Sequence, residues 1–127
     1  LIANRGEAYK PKLVLDTPIE SVKSEISKYV WGNIQQAMYD VVNKDSGTGF
    51  MLKNMQAIIR GKTGTAQTTS STSEKLLSWF GGYVELDQDL MSLIVLIEDT
   101  NSNTKSISKQ ISKDIFNYYI SNGLSNE

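Results

Sequence analysis

The sequence predicts an α+β fold in which an antiparallel sheet is flanked by helices. Three observations predict it. Apolar residues recur at helical spacing in two separate segments, residues 27–44 and 105–121. Between them, residues 57–99 hold three runs of strand length, the second carrying Trp79, Phe80 and Tyr83 and the third almost wholly apolar. Asp87-Gln88-Asp89 joins the last two runs as a short hairpin connection, which makes them antiparallel neighbours.

The elements follow in chain order. Leu1-Ile2-Ala3-Asn4-Arg5-Gly6 reads as a last helical turn stopped by Gly6. Residues 1–26 form a lead-in with one short extended piece, Lys12-Leu13-Val14-Leu15, between Pro11 and a Thr17-Pro18 turn. Ser27 is the expected N-cap of the first helix. Behind it Val30, Trp31, Ile34, Met38, Val41 and Val42 make an apolar stripe. Ser46-Gly47-Thr48-Gly49 breaks the chain. The first strand enters at Ala57-Ile58-Ile59 and reaches Thr65, and residues 67–75, rich in Thr and Ser, form a loop. The second strand is Trp79-Phe80-Gly81-Gly82-Tyr83-Val84, whose adjacent glycines imply that another group approaches closely. The third, residues 90–97, is almost wholly apolar and is expected to be buried on both faces. The final helix places Ile107, Ile111, Ile115 and Tyr118 on one stripe and ends at Asn122-Gly123. The third strand needs cover that this chain supplies only in part, which points to a missing N-terminal half of the domain.

Composition excludes several function classes. The chain has 127 residues, a formal net charge of -1, and neither histidine nor cysteine. Near-neutrality gives no electrostatic footprint for nucleic acid and no polybasic membrane signal. Without cysteine there is no disulfide, no thiolate nucleophile and no cysteine-ligated zinc. Without histidine there is no Ser-His-Asp triad and no histidine-held metal. No cofactor or metal is expected. No run approaches the roughly 20 apolar residues that span a bilayer. The chain opens at Leu1 and reads as a fragment, so the lack of a membrane anchor is silent about a longer protein.

The chemistry-bearing segment is Gly61-Lys62-Thr63-Gly64-Thr65-Ala66-Gln67. A phosphate-binding loop would need a glycine five residues before Gly61, where this chain has Gln56, and would lead into a helix rather than a second strand. The other reading is the Lys-Thr-Gly motif of serine acyl-transfer enzymes acting on D-Ala-D-Ala peptides and β-lactams. Its physics suits an exposed strand edge, along which an extended peptide can add as a further strand. Lys62 would place a cation beside the reacting group. Thr63 would offer a hydroxyl to a terminal carboxylate. Gly64, lacking Cβ, would let substrate lie against the backbone. Thr65 would aim its N–H at a developing oxyanion, a device typically worth about 3–4 kcal/mol. By itself a bare Lys-Thr-Gly also fits a surface strand end with a solvated lysine.

The surrounding segments are more specific. In order, Ile2-Ala3-Asn4-Arg5-Gly6 with Pro11, the helix with Met38 and Val41-Val42, Gly47-Thr48-Gly49, the full run from Gly61 to Gln67, Trp79-Phe80-Gly81-Gly82-Tyr83, and the strand ending at Glu98 span nearly the whole chain. This series resembles the C-terminal portion of the class B penicillin-binding transpeptidases. The resemblance implies part of a penicillin-binding transpeptidase or serine β-lactamase-like fold. It implies an extracytoplasmic enzyme, membrane-anchored in the full-length protein, that cross-links peptidoglycan stem peptides through a serine acyl-enzyme and binds β-lactams.

On that basis Lys62 and Thr65 are the expected catalytic residues, and Thr63, Gly64, Gln67 and Trp79 the expected substrate-binding ones. Arg60 is expected to point away from Lys62 and receives no role. The family keeps its nucleophile in Ser-x-x-Lys. Here Ser106-Ile107-Ser108-Lys109 fits literally, but it follows the last strand and is read as chance, with Ser106 starting a helix. The chain is therefore expected to be inactive alone. The alternatives are a serine β-lactamase, against which Ala66-Gln67 argue, and a non-catalytic β-lactam sensor module.

Overall fold

The computed structural model describes residues 1–10, 12–68, 75–87, 89–100, 104 and 106–123. Pro11, much of the Thr/Ser loop, Gln88 and most of the polar segment before the last helix lie outside them. The chain divides into two compact units, Leu1–Ala37 and Met38–Glu127.

In the first unit, β1 (Glu7–Tyr9) pairs antiparallel with β2 (Ser21–Lys23). The opening turn ends as a helix does. The Gly6 N–H donates to the Leu1 carbonyl at 2.9 Å and the Arg5 N–H to the Ile2 carbonyl at 3.1 Å. Arg5 is left-handed at φ 49 and Gly6 at φ 103. The expected extended piece at residues 12–15 is not a strand. Leu13, Val14 and Leu15 are exposed, and the run folds on itself as the Lys12 ammonium donates to the Leu15 carbonyl. A β-prone run forms a strand only where a neighbour completes its hydrogen bonds, and here the pairing falls to the segments on either side. Helix α1 (Lys28–Asn43) starts at Ser27, whose Oγ accepts from the Val30 N–H at 3.4 Å. Trp31 is buried as expected, but Val30 is exposed. The buried position one turn on is Gln35, which donates to the Ile2 and Ala3 carbonyls and accepts from Arg5 Nε.

The second unit holds the three-stranded sheet, in the order β3 (Ile58–Thr68), β4 (Lys75–Leu86), β5 (Asp89–Thr100). Helix α2 (Ile107–Asn122) packs on one face. Ile59, Phe80, Val84, Phe116 and Tyr119 form the core between them, joined by Val42, Leu52 and Ala57. At its centre the Phe80 ring meets Phe116 edge-on, with centroids 6.1 Å apart. Phe80 also explains a glycine pair. Gly61 stands opposite Gly82, and a Cβ on either would strike the Phe80 ring. At Gly82 it would also come within 2.5 Å of the Arg60 carbonyl, whereas Gly81 has room, with Ile94 4.0 Å away. The close approach expected at the paired glycines belongs to Gly82 alone.

Two expectations are corrected. The buried stripe of α2 is Ser108, Ser112, Phe116 and Tyr119, one residue on from the predicted Ile107, Ile111, Ile115 and Tyr118. Ile107, Ile115 and Tyr118 are exposed. The reason is the two serines. They are small enough for the helix to sit close on β4, and their hydroxyls are satisfied there: Ser108 Oγ bonds Ser78 Oγ at 2.7 Å and Ser112 Oγ donates to the Ser108 carbonyl at 2.7 Å. The third strand is not buried on both faces either. β5 ends the sheet and α2 covers one side, so Val95 is buried while Leu90, Ile94 and Leu96 are exposed.

These contacts set two expectations for stability. Gly82→Ala should destabilise the fold by about 1–3 kcal/mol through overpacking, and Gly81→Ala should stay within about 0.5 kcal/mol of wild type. Denaturant titration separates them, and equal effects would contradict the Phe80 contact. Tyr119 is buried, and its hydroxyl has no hydrogen-bond partner among the described residues. Burial, and then the Asp89 carboxylate, raise its phenol above the ordinary value. Its contribution to stability is thus fully present below the unfolded pKa of about 10 and is lost as pH rises through the folded value. Tyr119→Phe should flatten that alkaline loss without lowering stability at neutral pH, measured by denaturation midpoints across the range.

Candidate active site

The site is organised by β3, which among the described residues is paired on one side only. Its register with β4 runs unbroken from Ile58 opposite Glu85 to Thr68 opposite Lys75. In an antiparallel ladder a residue's N–H and C=O point to the same side, and successive residues alternate. The Ile59 carbonyl accepts from the Asn43 side chain at 2.9 Å, and the Thr63 carbonyl accepts from the Lys62 ammonium. Both donors lie outside the ladder, so the odd-numbered residues of β3 present their backbone to the open edge. Thr65 shares that parity, and its N–H is aimed out of the sheet.

Side chains alternate as well. Lys62 stands opposite Gly81, and Arg60 opposite Tyr83, on one face. Arg60 therefore does not point away from Lys62, because residues two apart on a strand share a face. It forms an ion pair with Glu85 at 2.6 Å and lies beside the Tyr39 and Tyr83 rings.

A cavity of about 230 Å³ opens beside the strand. Of the six residues expected at the site, Thr63, Gly64, Thr65 and Trp79 line it. Gly64 stands opposite Trp79, and a Cβ there would touch the Trp79 side chain at 3.4 Å, so the bare backbone leaves the wall flat. Trp79 is 39% exposed. Lys62 is exposed at the strand edge and Gln67 is exposed opposite Leu76; neither lines the cavity.

Three lining residues escaped the site reading of the sequence: Thr48, Ser108 and Lys109. Thr48 sits in the turn after α1. There Gly47 N–H donates to the Lys44 carbonyl and Gly49 N–H to the Val41 carbonyl, and Gly47 is pressed against the Val41 carbonyl where no Cβ would fit. That turn brings Thr48 Oγ1 to 2.6 Å from Thr63 Oγ1. Gly47-Thr48-Gly49 was visible in the sequence as a chain break, but nothing local assigns Thr48 to Thr63. Lys109 reaches the same place from α2, its Nζ donating to the Thr48 carbonyl at 3.3 Å. Ser106 is exposed at the start of α2 and does not line the cavity.

The family described as the penicillin binding protein transpeptidase domain matches residues 1–117. The chain belongs to that family. The peptidoglycan D,D-transpeptidase MrdA of Acinetobacter baumannii is 28% identical over 123 residues, a match covering 87% of this chain and 18% of that protein. Penicillin-binding protein 2B of Streptococcus pneumoniae superposes with a TM-score of 0.78 at 21% identity, over 99% of this chain and 24% of that one. The transpeptidase-domain chain thus spans less than a quarter of either relative, and its α+β arrangement is that fold in part.

Proposed function

We propose that this chain is the part of a peptidoglycan D,D-transpeptidase that supplies the Lys-Thr-Gly strand. The reading is carried by one observation: the motif lies on an edge of β3 that no strand among the described residues pairs, with the Thr65 N–H facing outward and Thr63, Gly64 and Thr65 beside one cavity. A stem peptide ending in D-Ala-D-Ala can lay its backbone along that edge as an added strand. Lys62 Nζ sits on the edge, where its charge favours an anionic substrate and proton transfer at the reacting group. The Thr63 hydroxyl, oriented by Thr48, is a donor for the terminal carboxylate. The Thr65 N–H stabilises the tetrahedral oxyanion. Gln67 and Trp79 extend the groove along and across the strand.

The serine is proposed to come from sequence outside these 127 residues. Its oxygen bonds the carbonyl carbon of the penultimate residue, and the peptide bond to the terminal D-Ala breaks as that amine takes up a proton. An amine of a second stem peptide then displaces the serine oxygen, and the serine recovers its proton. β-Lactams acylate the same serine, and their amine, tethered in the ring, does not leave. One relative is named for peptidoglycan, which supports reading the full-length protein as extracytoplasmic and membrane-anchored.

Labelled penicillin tests this. The full-length protein should form a covalent adduct that releases slowly, and Lys62→Ala should lower the acylation rate by about 100-fold or more with the thermal midpoint unchanged. Wild-type acylation by that variant would show the motif reading to be wrong, and rapid turnover would indicate a β-lactamase. The chain alone should stay unlabelled; an adduct on Ser106 would overturn the assignment of the nucleophile to another segment.

A further inference from the structure

The motif lysine does not line the cavity, yet the cavity holds a cation. Lys109 carries the only formal charge among its lining residues, and the other polar side chains there are hydroxyls and an indole. Among the described residues no carboxylate is ion-paired with it.

Its position is fixed from below. The buried bond between Ser108 and Ser78 fastens the adjacent residue to β4, and Ser112 Oγ bonds the Ser108 carbonyl. The first turn of α2 is therefore seated on the sheet. The Lys109 side chain, half-buried, spans from there to the Thr48 carbonyl. An ammonium has three N–H donors. One is given to Thr48 at 3.3 Å, a long bond for a charged donor, which ordinarily settles near 2.7–2.9 Å with a carboxylate. That carbonyl belongs to the residue whose hydroxyl meets Thr63. One cation, the Thr48 and Thr63 hydroxyls and, among the described lining residues, no anion converge on a space large enough for the end of a peptide, and a carboxylate is the group this arrangement satisfies.

We propose that Lys109 is a specificity-determining residue, whose ammonium recognises the carboxylate of a bound ligand together with the Thr48 and Thr63 hydroxyls. The inference rests on the transpeptidase reading for the ligand's identity, a peptide with a free C-terminus. It assigns Lys109 no part in bond making. Lys62 acts at the strand edge and Lys109 at the floor of the cavity, so Thr63 stands between two ammonium groups, one on its carbonyl and one reaching its hydroxyl through Thr48.

The test measures equilibrium binding to the full-length protein, so that it does not depend on acylation. The probes are N-acetyl-D-Ala-D-Ala and its C-terminal amide, which differ in charge at one end. Wild type should prefer the acid. Lys109→Met should weaken acid binding by roughly tenfold, the loss expected for a charge-assisted hydrogen bond, and leave amide binding unchanged. Lys109→Arg should restore the preference. A preference of undiminished size in Lys109→Met, an equal loss for acid and amide, or no preference in wild type would each overturn the proposal. Penicillin acylation of the same wild-type sample reports separately on the transpeptidase reading. If acylation succeeds and Lys109→Met keeps its preference undiminished, only the role of Lys109 falls. If acylation fails while the acid preference follows the charge at position 109, the carboxylate site stands and the transpeptidase reading falls.

Discussion

β3 is paired with β4 along one side and, among the described residues, with no strand along the other, and every property of the site descends from that asymmetry. The ladder with β4 decides which backbone groups face outward, and a slip of one residue would turn the Thr65 N–H into the sheet. The register is pinned by packing rather than by the motif. Gly61 faces Gly82 because the Phe80 ring occupies the space above both, and that ring is in turn held edge-on by Phe116 of α2. A shifted register would bring a Cβ against the ring. The first glycine of the motif segment thus serves the core, while Gly64, three residues later, serves the groove.

The cavity needs two further elements, and each is held near the strand by polar contacts. The turn after α1 is clipped by Asn43, which bonds the Ile59 carbonyl, and by the Thr48–Thr63 hydroxyl pair. α2 is drawn close by Ser108 on Ser78. A larger apolar residue at position 108 would gain buried area but would lift the helix from β4 and carry Lys109 away from Thr48. The helix gives up hydrophobic contact at its first two buried positions so that its N-terminal end can wall the cavity.

What the sequence disclosed and what it hid divide along the same line. The Lys-Thr-Gly strand, the two strands after it and both helices were legible because each is written in adjacent residues or in one period. The α2 stripe was misread because isoleucines outweigh serines in any count of apolar period, yet closeness of packing placed Ser108 and Ser112 inward. β1 and β2 were invisible for another reason: three residues are too few to show alternation, and the more β-prone Leu13-Val14-Leu15 found no partner. Thr48 meets Thr63 across 15 positions of sequence, and Lys109 joins the same cavity from 46 positions beyond Thr63. Only the fold brings them together, although Lys109 ends a chance Ser-x-x-Lys pattern in the sequence. Arg60 shares a face with Lys62 by strand parity alone, two residues apart on β3.

An unpaired edge is a hazard as well as a binding surface, since any flat strand can add to it. The composition of β3 limits that hazard. From Lys62 onward the strand is Lys-Thr-Gly-Thr-Ala-Gln-Thr, with no large apolar side chain to drive association with a second copy. A lysine at the edge repels the same edge of another chain, where an identical ammonium would stand. The same charge would favour a ligand that carries a negative group. The lysine thus guards the edge against its own copy without opposing the approach of an anion. A small, polar, positively charged edge can stay open without being promiscuous.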